Sequence, residues 1–180
     1  MREEPMRLLE HWHEFYVLVG TAAAALVALL FVATSIGVGV LSRDSAGPTR
    51  TYMSPIAFHF TSVLFVSAIA LVPSHTLVSL GVLIGLNAVA GVAYASFVLP
   101  RLMTDNIADL ADRICYGVIP LIAYLLGLVS AYLIFRGSPQ APEFLAGTTV
   151  LLLIVNIRNA WDLMLSLTRR RASVEPPPPN

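Results

Sequence analysis

The sequence predicts an all-α protein, a polytopic bundle of about five transmembrane helices. Two observations predict it. Apolar residues make up 57% of the 180 and charged residues only 12%, with a mean hydropathy of +0.76. A soluble domain of this size is usually about a quarter charged, so too few charges are present to cover a water-facing surface. The apolar residues also fall in long runs, which makes lipid the expected solvent.

Residues 1–14 read as an interfacial segment, with Glu3, Glu4, Glu10 and Glu14 set against Arg2 and Arg7. Leu8, Leu9, Trp12, Phe15 and Tyr16 stand near helical spacing, with Trp12 and Tyr16 expected at headgroup level. The membrane domain is predicted over 15–168 and its first span over 15–41. A cleaved signal peptide fits poorly, because the leader is acidic and the apolar run is about twice a normal h-region. The second span is predicted over 55–72, with Ser54 as its cap and Pro55 at the first position. Pro73, Ser74 and His75 form a tight hairpin into a third span, 76–99, which Pro100 is expected to stop. A polar loop fills 101–112, and the fourth span, 113–135, is expected to bend near Pro120. A loop with Gly137, Pro139 and Pro142 leads to the fifth span, 144–168. The tail, 169–180, opens with Arg169, Arg170 and Arg171 and ends in Pro176–Pro179, which suits disorder or polyproline II. No internal repeat is visible, and an odd number of spans disfavours an inverted-repeat transporter.

Five spans place the termini on opposite sides. Arg2, Arg7 and Arg136 lie on one side, a total of three. Arg43, Arg50, Arg101, Arg113, Arg169, Arg170 and Arg171 lie on the other, a total of seven. The positive-inside rule then predicts the N-terminus outside and the C-terminus in the cytoplasm.

The fifth span contains Asn156, Arg158, Asn159 and Asp162. Ending it before Arg158 would leave about 21 Å of helix at ~1.5 Å per residue, short of a hydrocarbon core of roughly 30 Å. Arg158 is therefore expected inside, where an unpaired arginine costs about 2.5–3.5 kcal/mol. Asp162, four residues on, is the expected partner. Counting along the helices puts His59, Thr34, Ser35 and Tyr116 at a similar depth, which predicts an inner polar cluster of Arg158, Asp162, His59, Asn156 and Asn159. Two readings stay open: Arg158 snorkels and fixes helix depth, or the cluster lines a polar cavity or ion path. Asp105, Asp109 and Asp112 form a further candidate, a cytoplasmic acidic stripe that binds a divalent cation, rims a pore, partners the arginine tail or is simply a solvated face. Gly81, Gly85 and Ala88 are candidate helix-packing residues, within the chain or between copies of a homo-oligomer.

Several function classes lose their support. Eleven basic residues balance eleven acidic ones, so no basic footprint for nucleic acid exists. A single cysteine, Cys115, excludes an intrachain disulfide and a cysteine-based zinc site. No zinc-protease, serine-hydrolase or phosphate-loop motif is present, the four histidines offer no facing haem pair, and neither a metal nor another cofactor is expected.

The opening Trp12-His13-Glu14-Phe15-Tyr16, followed by Gly20-Thr21-Ala22-Ala23-Ala24 and Leu26, resembles a family of uncharacterised small bacterial multi-pass inner-membrane proteins. The resemblance covers mainly the first span, implies a bacterial-type inner (plasma) membrane, and supplies no catalytic residues. The expectation is a non-enzymatic structural or regulatory bundle, with the 100–112 loop and Arg169, Arg170 and Arg171 as contacts for a partner or anionic lipid. An oligomeric ion channel or small transporter is the first alternative and an intramembrane enzyme the second.

Overall fold

The computed structural model describes residues 9, 11–38, 46–104 and 110–174. These form five long helices and, among the described residues, no strand: α1 (His13–Val38), α2 (Ala46–Ala70), α3 (Leu77–Thr104), α4 (Leu110–Phe135) and α5 (Ala141–Val174). Asp105, Asp109, residues 1–8 and the tail prolines lie outside the described residues, as do the side chains of Thr34, Arg50 and Arg169–Arg171.

Local chemistry sets several of the helix ends. Thr76 caps α3: the Ser79 amide donates to Thr76 Oγ1 at 3.1 Å and the Thr76 amide donates to Ser79 Oγ at 2.9 Å. This reciprocal pair satisfies two donors that a helix start would otherwise leave orphaned. At the end of α4, Gly137 takes φ +62°. Its amide donates to Ile134 O at 2.9 Å while Ser138 N–H reaches Leu133 O at 3.0 Å, a Schellman closure that needs a residue without Cβ strain. Glu14 and Glu143 stand in the first turns of α1 and α5, where the helix dipole favours an anion.

Helices α2, α5, α4 and α3 close a four-membered ring, each in contact with the next, and α1 lies outside it against α2 with a smaller contact to α5. The core is mostly apolar, but polar side chains are buried in it and large apolar ones line the outside. His59, Ser62, Ser67, Ser130, Thr148, Thr149, Asn156 and Asn159 are buried, whereas Leu18, Phe31, Leu86 and Ile154 are more than 60% exposed. So many large apolar side chains on the outside of long helices suit an apolar solvent, in which buried hydroxyls and amides join helices to one another. Helices α1, α3, α4 and α5 are long and apolar enough to cross a membrane, and α2 contributes a shorter apolar stretch, Ser54–Ala70. The chain is a membrane-embedded helical protein.

Three expected boundaries need correction. Helix α2 starts at Ala46, so Ser54 and Pro55 are not its cap and first position; Pro55 sits inside the helix. Helix α3 does not stop at Pro100 but runs through it to Thr104, whose hydroxyl covers the Pro100 and Arg101 carbonyls at 3.1 Å. Those are carbonyls of the last turn; the one that Pro100 itself leaves without a helical donor is that of Ser96, four residues back, a loss that membrane helices tolerate. Helix α5 likewise continues through Arg169–Arg171 to Val174. Near Pro120 the chain forms a wide turn, Arg113–Val118, in which the Ile119 amide donates to Ile114 O, five residues back.

Candidate functional site

The buried polar side chains gather in two layers. The first joins α4 to α5 at the end where α4 begins. Pro120 has no N–H, so the carbonyl it would serve in the wide-turn register, that of Cys115, is left without a helical donor. Asn159 Nδ2 supplies one at 2.9 Å. The Tyr116 hydroxyl returns the bond, donating to Asn159 O at 2.7 Å. Arg158 Nη1 donates to Asn159 Oδ1 at 3.2 Å, which fixes the amide so that Nδ2 faces Cys115. The same nitrogen stands 3.5 Å from Asp112 Oδ1, a partly exposed ion pair. Asp112, Arg158, Asn159 and the Cys115 carbonyl therefore form one connected chain across the helix pair.

The second layer lies deeper, about 12 Å along α4 from Tyr116 to Tyr124 at ~1.5 Å per residue. Here His59 Nδ1 and the Tyr124 hydroxyl share a hydrogen bond of 2.9 Å. Phe58 stacks on Tyr94 with ring centroids 4.4 Å apart, and the His59 ring meets Phe58 and Tyr94 edge-on. Ser62 and Asn87 bond to each other at 2.8–3.0 Å between α2 and α3. A cavity of about 20 Å³ adjoins them, lined in part by Tyr124, Gly127, Thr148 and Thr149. Its volume is little more than one water needs, about 10–15 Å³. The threonine hydroxyls are turned to helix carbonyls, Thr148 to Phe144 O at 2.9 Å and Thr149 to Leu145 O at 2.6 Å. Methyl and ring carbons are what remain to face the space.

The structure redistributes the residues read from the sequence. Arg158 pairs with Asp112 and not with Asp162, because α4 begins at Leu110 and carries Asp112 onto helix, level with Arg158. Asp112 of the expected acidic stripe is thus paired with Arg158, and Asp105 and Asp109 lie outside the described residues. Asn159 and Tyr116 do join Arg158. His59 does not take part in that layer; it belongs with Tyr124 and Tyr94. Asn156 stands by itself, with Nδ2 donating to Ile56 O at 2.8 Å and a buried Oδ1 that has no partner. Ser35 turns back to its own helix, donating to Phe31 O at 2.8 Å, and stays exposed.

Gly81 and Gly85 face α4: a methyl at Gly81 would stand 3.1 Å from the Phe135 ring, and one at Gly85 would stand 3.6 Å from Ala131 Cβ. Ala88 meets the Gly127 position on the same seam. Sequence reasoning missed Ser62, Asn87, Tyr94 and Tyr124. Asn87 was the findable one, an amide in the middle of an apolar span. No protein-family model matches the chain, and no curated protein or solved structure is significantly similar to it.

Proposed function

We propose that this chain is a non-enzymatic protein of a bacterial-type inner membrane, a structural or regulatory helix bundle that works by associating with a partner. The observation that supports this reading is how the interior spends its polar groups. Asn159, Tyr116, His59, Tyr124, Ser62 and Asn87 each bond to a neighbouring helix, and the cavity beside them is faced with carbon. Such an interior fixes helix positions and leaves its outer faces for recognition. The cytoplasmic side is the end that holds the α3–α4 connection and the last turns of α5, by its seven arginines against three. Arg169, Arg170 and Arg171 there meet anionic lipid headgroups, and the chain acts alone or as a homo-oligomer.

A channel or small transporter is the second reading, favoured by the partly exposed Arg158–Asp112 pair, since ionisable pairs at membrane depth commonly mark ion paths. Ion and proton flux in proteoliposomes separates the two. Wild type, Arg158→Gln and Asp112→Asn are compared after equal insertion is established. Background-level flux in all three is expected. Wild-type flux that both substitutions alter would replace the first reading with the second.

A further inference from the structure

We propose that the first part of α4 is a two-register element and that Asn159 selects between its registers. Backbone donors and acceptors define the two registers. In the observed register the Ile119 amide is committed to Ile114 O, and the carbonyl left over is that of Cys115. In an ordinary α register the Ile119 amide would turn to Cys115 O, four residues back, and the missing Pro120 N–H would instead orphan Tyr116 O. Asn159 Nδ2 and the Ile119 amide are thus alternative donors to one carbonyl. Asn159 occupies it at 2.9 Å, which holds the observed register.

The choice reaches the ion pair. A wide turn is equivalent to one inserted residue, so removing it rotates everything before it by about 100° relative to the rest of the helix. Asp112 would leave Arg158, and Arg158 would lose its link through Asn159 Oδ1. The outward face of 110–114 would move round the helix with it. Two discrete arrangements of one packed helix, with the Cys115 carbonyl served by Asn159 in one and by the Ile119 amide in the other, are the physical content of a switch. The inference is independent of whether the bundle conducts ions.

The test reads register directly. Nitroxide labels are placed singly at positions 110, 111 and 114 in a Cys115→Ser background, Cys115 being the chain's sole cysteine. Accessibility to dissolved oxygen is recorded in lipid bilayers for the parent, for Asn159→Leu and for Asn159→Leu combined with Pro120→Ala. In the parent the greatest accessibility is expected at position 110, whose leucine is 73% exposed. In the double variant residue 120 has an N–H for Tyr116 O, every helical carbonyl is served, and the accessibility maximum is expected to move off position 110. Asn159→Leu alone shows the same shift or lower yield of folded protein, which Pro120→Ala restores. A double variant that folds with the parent's pattern, or one that fails to fold, overturns the proposal.

Discussion

Asp162 stands four residues from Arg158 on one helix, yet the carboxylate that meets Arg158 comes from α4. The i, i+4 rule names the nearest candidate in sequence and has no knowledge of a neighbouring helix. This makes a clean comparison. Asp112→Asn is expected to lower stability by about 1 kcal/mol, as for a partly solvated pair, whereas Asp162→Asn should stay within ~0.5 kcal/mol of wild type. Reversible unfolding in detergent micelles measures both, and equal losses would return Asp162 to the pair. At this scale the sequence showed which residue types lie in the membrane. It located Arg158, Asn159 and Tyr116 in one layer because depth is nearly linear in residue number along a helix. It placed His59 in that layer as well, because depth was counted from Pro55; the helix starts at Ala46, and His59 lies a layer deeper, against Tyr124.

Elements were legible wherever hydrophobic runs were bounded by turn residues, as at the hairpin after Pro73 and at Gly137. Pro55 and Pro100 read as boundaries in the sequence, yet the helix passes through both. The rule that proline ends a helix comes from water, where the freed carbonyl is readily solvated and the chain can leave. In lipid the helix persists because leaving it exposes more backbone. The glycines show how closely two elements approach. A methyl at Gly91 of α3 would overlap the Tyr124 ring of α4, a ring fixed by its bond to His59. Gly91→Ala is expected to destabilise by about 1–3 kcal/mol through overpacking. Gly147 has nothing within 4 Å of such a methyl, and Gly147→Ala should gain about 0.5–1 kcal/mol from helix propensity. Thermal denaturation of the purified variants checks the pair, and a similar effect at both sites would mean that Tyr124 gives way freely.

At the scale of the whole molecule, the ring formed by α2, α5, α4 and α3 closes without α1, which lies chiefly along α2. Helix α1 is the most apolar of the long spans and α5 the least, which suits an outer α1 and an inner α5, while helix order in space is set by which small faces match. The arrangement bears on how the chain enters a bilayer. Helix α2 has the shortest apolar stretch, Ser54–Ala70, and carries His59, Ser62 and Ser67 within it. Its later partners, α4 and α5, have not been synthesised when it reaches the membrane. Helix α1 has, and its Gly20 lies so close to Ser67 that a methyl there would stand 3.0 Å from Ser67 Cβ. Glycosylation-tag insertion assays should show α2 inserting poorly alone and well behind α1; equal efficiency would remove this role. A helix with little part in the finished ring then acts as a guide during synthesis, holding a reluctant neighbour in the bilayer until the rest of the ring arrives to claim it.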